Sequence, residues 1–493
     1  MNDKTSRLSS ALPDRSRHIY NVLEELEVTI DVHSNPCGLP LDALFRMAAR
    51  LNKKRSFLFV SRVLGKHIPV PPSLSLLAGA ALACLYGQQH RQVEEIAAAF
   101  IDPHQAGAVY RRIRQHKLTV KEPLLFIGFA ETATALGHSM YDMFDGPVRY
   151  LHTTREMLTS REPVISFEEE HSHATSHRCY PLDAQFLSGG ETVVLVDDEL
   201  TTGKTACNII SSLHQRCPRP RYVVASLLDW RSEADKQRFR ELERTLGITI
   251  ECVALVQGEL TISGALSEEQ LKALLPTTLN SLPDAPLAGQ VKRHDIGRFF
   301  THAEADSPRA LAYSIGAALN HHEAGAAPAH SSLPPQSPAP YLQWTGRFGL
   351  DATGQQELDE QLEAAAAWLR GLRRGERLLC MGTGEFMYIP MRIAALLGQG
   401  TMYQSSTRSP VHPLAHKDYA IQNAYRYLSP DDPQTLNYMY NISPGQYDEL
   451  FVFMERSIGE AQEAPFVEAL RATRIPMIHI IYCSREPDAE VSA

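Results

Sequence analysis

The clearest candidates for a functional site in this sequence are two adjacent carboxylates followed by a loop rich in hydroxyl groups. Asp197 and Asp198 follow the apolar run Val193–Val196, which fits a parallel strand that is covered on both faces. The loop after them contains Thr201, Thr202, Gly203, Lys204 and Thr205. An apolar helix face begins at Ala206, so the loop opens a helix whose free N–H groups can bind an anion.

The kind of phosphate ligand follows from Asp198. Gly203-Lys204-Thr205 fits the end of a Walker A loop, but that motif needs a glycine where this chain has Asp198. A carboxylate there would repel a triphosphate. The acidic pair suits a ribose 5-phosphate, whose hydroxyls bind the carboxylates while the threonine loop holds the phosphate. The alternative is an ordinary strand–turn–helix with a solvated acidic pair.

Composition limits the classes of function. The chain has 493 residues, enough for two or three domains, with 44% hydrophobic and 21% charged residues as in ordinary soluble proteins. A net charge of −9 argues against broad nucleic-acid binding. Eight cysteines without a CxxC pair fit reduced thiols, so we expect a cytoplasmic protein. The N-terminus lacks a signal-peptide core, and the apolar stretch Leu74–Tyr86 is too short to span a membrane.

Strand-like and helix-like segments alternate before residue 275. The predicted strands are Pro123–Ile127, Val148–His152, Val193–Val196, Tyr222–Leu228 and Ile248–Val256. The predicted helices between them are Thr132–Phe144, Ala206–Cys217 and Ser232–Leu246. This alternation predicts an α/β fold with a doubly wound, mainly parallel sheet. The loops after Ile127, His152 and Val196 would then lie on one rim, where such sheets bind ligands.

Proline-rich segments suggest the domain boundaries. Glu323–Pro340 contains five prolines with Ala and Ser and is typical of a linker, and a softer break lies near Pro276–Gly289. The predicted units are an N-terminal extension packed on the core, the core itself, a helical segment with the linker, and a smaller C-terminal α/β domain. Their bounds are 1–122, 123–275, 276–340 and 341–493.

Two further loops on the predicted rim suit phosphate groups. The loop after Ile127 contains Glu131, Thr132 and Ala133, and its backbone N–H groups can wrap a pyrophosphate, although a plain turn has the same pattern. Arg155 follows the next strand and can bind phosphate oxygens through two donors, or form a surface ion pair with Glu156.

A long polar stretch, Met157–Arg178, has no clear periodicity and is typical of a lid or of disorder. His171, His173 and His177 lie within it and could offer protons to a leaving group. With Cys179 they also resemble a metal cluster, although no structural zinc spacing is met. Solvated loop histidines without a role are the third interpretation. Outside this stretch, Arg55, Lys66 and His67 fit surface or subunit-contact positions at least as well as a site.

The strings GFAETATALG, TTRE and VLVDDELTTGKT resemble type I phosphoribosyltransferases, whose signature has two acids before Thr-Thr-Gly-x-Thr. With LGKHIP and EEEHSHATSHR they resemble, over about residues 20–275, the orotate phosphoribosyltransferase-like family of tellurite-resistance gene clusters. Thr407-Arg408-Ser409-Pro410 resembles the string that names the TRSP domain, which is fused C-terminally to those enzymes.

The resemblance implies that 5-phosphoribosyl-1-pyrophosphate (PRPP) is the donor and that Mg²⁺ accompanies it, with Asp197 and Asp198 at the metal and the ribose. It also implies a base-like acceptor, a nucleoside-like product, a homodimer by analogy, and partners among proteins of the same gene cluster. The base itself is not named by the sequence. A regulator that binds PRPP without catalysis is the alternative function.

The C-terminal part contains a second set of candidate residues. A turn after the predicted strand Arg377–Met381 contains Gly382, Thr383, Gly384 and Glu385, and a later loop contains Thr407, Arg408 and Ser409. Both suit an anion, although capped turns share the pattern. We hypothesise from these residues a second site for a phosphorylated intermediate. A C-terminal phosphatase-like unit is the alternative.

Overall fold

The computed structural model describes residues 15–23, 26–50, 55–158, 162–168, 176–264, 269, 289–300, 341–416 and 419–484. The linker Glu323–Pro340, His171 and His173 lie outside these ranges. In the described ranges, no helix has the length and apolar character needed to cross a membrane.

Strands and helices are numbered along the chain. The strands are β1 Ser16–Leu23, β2 Leu26–Ser34, β3 Phe45–Ala49, β4 Phe57–Ser61, β5 Leu118–Thr119, β6 Leu124–Gly128, β7 Phe144–Asp145, β8 Val148–His152, β9 Ile165–Glu168, β10 Ser176–Cys179, β11 Thr192–Leu200, β12 Arg221–Asp229, β13 Thr249–Gly264, β14 Gln290–Asp295, β15 Leu350–Asp351, β16 Leu378–Gly382, β17 Thr401–Ser405, β18 Ala424–Leu428, β19 Leu436–Tyr440, β20 Glu449–Met454 and β21 Met477–Tyr482. The α-helices are α1 Leu41–Leu44, α2 Pro72–Tyr86, α3 His90–Ile101, α4 Ala106–Arg114, α5 Ala133–Tyr141, α6 Lys204–Arg216, α7 Glu233–Leu246, α8 Ala352–Leu372, α9 Tyr388–Leu396 and α10 Glu460–Ala472.

The first sheet has eight strands in the order β1-β2-β13-β12-β11-β6-β8-β15. The strands from β13 to β8 in this order are parallel, and they coincide with the five predicted strands to within a few residues at most of their ends. In β12, β11, β6 and β8 most side chains are buried, as in parallel sheets that helices cover. The predicted α/β fold with a parallel sheet is confirmed.

The second sheet has five parallel strands in the order β14-β21-β20-β16-β17. Two strands cross the predicted domain boundaries. Residues 290–295, expected in the helical segment and linker, form the edge strand β14, whereas β15 from the C-terminal part pairs with β8 of the first sheet. The bounds predicted at 276 and 341 therefore do not separate the two sheets. Such edge pairing depends on distant partners that local patterns do not specify.

The two sheets are joined by buried polar contacts between α5 and α9. The His138 ring stacks on Tyr388 with centroids 3.5 Å apart. Asp142, at the end of α5, accepts hydrogen bonds from Tyr388 Oη at 2.9 Å and from Arg392 Nη1 at 3.0 Å. Burial raises the pKa of the Asp142 carboxyl, but Arg392 and Arg114 beside it outweigh this and lower the pKa. Interface helix α9 is thus fixed by charge as well as by packing.

Candidate functional site

A cavity of about 370 Å³ lies where loops of the first sheet meet a loop of the second. The loop after β6 contributes Ala130–Thr132, and β11 with the loop after it contributes 197–206. From the C-terminal part of the chain, the segment after β17 contributes Thr407–Ser409. The cavity therefore forms at the carboxyl ends of parallel strands, as predicted for the rim, but one wall comes from the C-terminal part of the chain.

The acidic pair and the threonine loop both line this cavity. Strand β11 continues to Leu200, so Asp197 and Asp198 lie on the strand and not after it. Gly203 has φ of +66°, and a Cβ there would lie 2.5 Å from the Phe239 ring, so only glycine fits this position. The chain then enters α6, whose first-turn N–H groups have no acceptor within the helix. This arrangement offers donors for a phosphate next to carboxylates for hydroxyls.

The carboxyl of Asp198 holds its proton more strongly than usual. Burial and then the neighbouring Glu199 raise its pKa to about 6. The Asp198 amide donates a hydrogen bond to Asp197 Oδ1 at 3.0 Å, which fixes the two residues relative to each other. A cation or a hydroxyl donor in the cavity would favour the ionised pair.

Glu131 forms a buried ion pair with Lys66. Lys66 Nζ lies 2.5 Å from Glu131 Oε1, and the two side chains are only 2% and 12% exposed. Burial raises the pKa of Glu131, but the Lys66 ammonium outweighs this and lowers the pKa to about 2. Lys66 Nζ also donates to the Gly384 carbonyl at 2.7 Å, so the pair connects the loop after β6 with the second sheet.

Arg155 lies at the same end of the cavity. Its Nη2 donates to the Ala130 carbonyl at 3.2 Å, which places the guanidinium beside the loop after β6. The Arg155 amide donates to Glu385 Oε1 at 2.8 Å, and Thr154 Oγ1 donates to Glu385 Oε2 at 2.5 Å. The backbone of Arg155 is therefore held by a carboxylate of the second sheet.

Of the other residues predicted for the first site, five line the cavity and Ala133 does not. Thr132, Thr201, Thr202, Lys204 and Thr205 line it. Ala133 begins α5 and is buried behind the loop.

His177 does not line this cavity, contrary to the role expected for it. The residue lies on β10, which pairs with β9 in a two-stranded sheet within the stretch predicted as a lid. Its ring stacks on Phe167, and its Nδ1 lies 2.8 Å from Thr153 Oγ1, which accepts a hydrogen bond from the Ala130 amide. His177 thus supports the loop after β6 from behind. Among the described residues, no group of three or more His, Cys, Asp or Glu could hold a metal.

Four basic residues of the N-terminal part line the cavity, although the sequence patterns gave them no role in it or left it open: Arg50, Arg55, Lys66 and His67. Arg55 pairs with Glu199, and burial lowers the pKa of His67 to about 3. A lysine and a histidine together in the apolar string LGKHIP were the available signal, since a lysine buried there needs a partner. The lining now holds six Lys or Arg side chains against four carboxylates, which suits an anionic ligand.

The hypothesis of a separate second site is not supported by this geometry. Thr407, Arg408 and Ser409 line the first cavity. Thr383, Gly384 and Glu385 line a neighbouring cavity of about 30 Å³, which has room for a water molecule or two but not for a ribose phosphate. Gly382 ends β16 and is buried. Of the two motifs of the C-terminal part, Thr407–Ser409 therefore lines the site of the first sheet, whereas the turn with Glu385 only contacts the backbone of Arg155 beside it.

Comparison with known families agrees with this arrangement. Residues 44–259 match the family described as phosphoribosyl transferase, PRTase_2, and residues 344–470 match the TRSP domain found C-terminal to it. The chain carries a phosphoribosyltransferase domain followed by a TRSP domain. The chain is therefore an enzyme of the phosphoribosyltransferase class. Residues of both domains line its cavity. No curated protein matches the chain.

Several solved adenine phosphoribosyltransferases are similar to part of the chain. The Trypanosoma brucei enzyme is 17% identical, with a TM-score of 0.21, over 30% of this chain and 64% of its own. The Giardia lamblia enzyme is 16% identical, with a TM-score of 0.22, over 32% and 83%. The Rhodothermus marinus enzyme is 16% identical, with a TM-score of 0.23, over 44% and 96%. The chain thus spans about two thirds of the first and most of the other two.

Proposed function

We propose that the enzyme transfers the phosphoribosyl group of PRPP to a nitrogen of a base-like acceptor. The observation that carries this proposal is the shared cavity, where an acidic pair, a helix N-terminus and several cations lie side by side. Hydroxyls, a phosphate and a pyrophosphate are the three features of PRPP that these groups would recognise.

Each part of the cavity has a separate task in this proposal. Thr201–Thr205 and the first turn of α6 hold the 5-phosphate, and Asp197 and Asp198 accept hydrogen bonds from the ribose hydroxyls. Arg155 and the loop after β6 face the pyrophosphate. The acceptor nitrogen bonds to C1 of the ribose as the C1–O bond breaks, pyrophosphate leaves with the electron pair, and the nitrogen releases its proton. Positioning and charge stabilisation supply most of the rate.

The chemistry of the donor set fits Mg²⁺. Asp197 and Asp198 offer the hard carboxylate oxygens that this ion prefers, and it commonly takes one or two carboxylates with substrate phosphates and waters. Because the described residues contain no group of three ligands, the protein would share the ion with the substrate. When bound, Mg²⁺ would neutralise charge on pyrophosphate.

The wider role is proposed on the sequence resemblance alone. It comprises a nucleoside-like biosynthetic pathway linked to tellurite resistance, a homodimer in the cytoplasm, and partners from the same gene cluster. The alternative of a PRPP-binding regulator predicts donor binding without turnover.

The test is pyrophosphate release from PRPP with Mg²⁺ across a panel of nitrogenous bases, with the full chain. We expect release with at least one base, and a loss of about 10- to 100-fold in kcat/KM for Asp198→Asn, because a charged hydrogen-bond acceptor is removed. Asp145→Asn is the matched control, since Asp145 is exposed on β7 and does not line the cavity.

Three outcomes separate the alternatives. PRPP binding without pyrophosphate release for any base would favour the regulator. Loss of activity in Asp145→Asn equal to that in Asp198→Asn would remove the acidic pair from the mechanism. Release of inorganic phosphate from the product would favour the phosphatase-like alternative for the TRSP domain.

A further inference from the structure

The loop that carries Arg408 is fixed by hydrogen bonds to its backbone on both sides of that residue. Strand β17 ends at Ser405, whose amide donates to the Gly65 carbonyl at 2.8 Å. Thr407 then exchanges two backbone hydrogen bonds with Tyr438 of β19, at 3.0 and 2.8 Å. The Ser409 carbonyl accepts a hydrogen bond from Tyr440 Oη at 2.8 Å. Residues on both sides of Arg408 are therefore fixed, and its side chain is presented from an ordered backbone.

The guanidinium of Arg408 has its donors available. The side chain is half-buried in the cavity, and within the described part of the chain it donates no hydrogen bond and lies in no ion pair within 4 Å. Burial lowers the pKa of Arg408, but Glu385 and Glu131 nearby outweigh this and raise it. Both carboxylates are already engaged, Glu131 by Lys66 and Glu385 by Thr154. A half-buried guanidinium without an ion-pair partner is stabilised by an anion that enters the cavity.

Position decides which part of the donor Arg408 would contact. Its amide lies 3.4 Å from Glu131 Oε2, so the residue sits beside the loop after β6. The Arg155 guanidinium lies beside the same loop, through its bond to the Ala130 carbonyl. In the proposed function the 5-phosphate occupies the first turn of α6, and the loop after β6 faces the pyrophosphate. The two guanidinium groups would therefore approach pyrophosphate from different domains.

We propose that Arg408 of the TRSP domain binds the pyrophosphate group of the donor, so that the two domains form one active site within a single chain. This inference rests on the proposed function. Glu385 is a positioning residue in this arrangement, because it holds the Arg155 amide and the Thr154 hydroxyl and lines only the neighbouring small cavity. Thr134 Oγ1 also donates to the Glu385 carbonyl at 3.0 Å, so the same turn fixes two loops of the first domain.

The experiment measures binding of two separate probes to the full chain by titration calorimetry: Mg²⁺-pyrophosphate and ribose 5-phosphate. Arg408→Ala should weaken pyrophosphate binding by about 10- to 100-fold, the usual value of hydrogen bonds between charged groups, and change ribose 5-phosphate binding less than about twofold. Arg408→Lys keeps the charge but loses the two-donor geometry, so an intermediate loss is expected. The matched control is Arg426→Ala, since Arg426 is exposed on β18 of the same domain and lines neither cavity.

The outcomes distinguish this inference from the proposed function. If wild type binds both probes and both Arg408 variants bind pyrophosphate as tightly as Arg426→Ala does, Arg408 has no role at pyrophosphate and the inference is wrong. If Arg408→Ala loses affinity for both probes equally, the residue has a structural role and the inference is wrong. If wild type binds neither probe, the proposed function fails first.

Glu385→Gln gives a further readout of positioning. We expect kcat for pyrophosphate release to fall while KM for the acceptor stays within about twofold, because the displaced loop with Arg155 faces pyrophosphate in the proposed function. A change confined to the melting temperature, with kcat intact, would contradict the positioning role.

Discussion

Removal of the Glu131 carboxylate should destabilise the ligand-free protein substantially. Lys66 is 2% exposed, and Glu131→Gln leaves its ammonium without the counter-charge 2.5 Å away. The pKa of Glu131 falls from 4.5 to about 2 in the folded state, which corresponds to roughly 3 kcal/mol of stability at neutral pH. Breaking a buried pair typically costs about 3–5 kcal/mol, which agrees.

The fold affects the charged forms of the two partners in opposite ways: it destabilises the Lys66 ammonium and stabilises the Glu131 carboxylate. Burial lowers the pKa of Lys66 more than Glu131 raises it, so the ammonium stays less stable than in water although the carboxylate is stabilised. The loss of stability in Glu131→Gln therefore follows from the pKa of Glu131, whose carboxylate is the group removed. We also expect Lys66→Met with Glu131→Gln to lie within about 1 kcal/mol of wild type, because neutral replacements of a buried pair avoid its desolvation cost.

The assay is urea unfolding followed by the fluorescence of the three tryptophans, Trp230, Trp344 and Trp368, between pH 2 and pH 7. A carboxyl with a lowered folded pKa adds stability above its unfolded pKa, and that stability is lost as pH falls through the folded value. The difference between wild type and Glu131→Gln should therefore be full above about pH 5 and shrink towards pH 2.

The exposed pair of Arg17 with Asp31 provides the control, and Asp31→Asn should shift the urea midpoint little. Unfolding of Glu131→Gln at the wild-type midpoint at pH 7 would show that the pair does not stabilise the fold. A double variant that loses as much stability as the two single variants combined would also show that Lys66 and Glu131 do not act as a pair.

Three other changes have defined outcomes. The pKa of Asp198 is raised to about 6, so the stability that its protonated carboxyl contributes below about pH 4 is lost as pH rises through 6. PRPP binding, measured by calorimetry, should strengthen over the same range as the carboxyl ionises. Gly203→Ala places a methyl group against Phe239 at positive φ and should cost at least about 1 kcal/mol in urea unfolding, with loss of ribose 5-phosphate binding. Asp142→Asn leaves Arg392 with less counter-charge at the interface and should cost about 3–5 kcal/mol, seen as a lower melting temperature.

Local patterns predicted the central sheet well. The inner strands β6, β11 and β12 contain runs of buried apolar residues, and the predicted ends of β8 agree with the observed ones. The end of β11 was placed too early, since Asp197–Leu200 remain paired with β12 despite three acidic residues. Backbone pairing with β12 kept these residues extended, and single-sequence propensity carries no information on that partner.

The shared wall of the cavity could not be predicted from sequence spacing. Arg408 and Glu131 are 277 positions apart, and neither residue type at its position indicates the other. The string around Arg408 did predict an anion-binding segment, but not the domain whose ligand it would face. Lys66 shows the same limit, because its apolar neighbours suggest burial but do not identify its partners Glu131 and Gly384.

The path of contacts explains why two domains would be kept in one chain. Strand β15 pairs with β8, and β8 leads directly into Thr154 and Arg155, which Glu385 of the TRSP domain holds. The conformation of this loop is therefore a joint property of both domains. A TRSP domain supplied as a separate protein would have to bind before each turnover, whereas a linked one acts at an effective concentration of the order of millimolar. Fusion thus favours a site whose phosphate-binding residues are divided between two sheets.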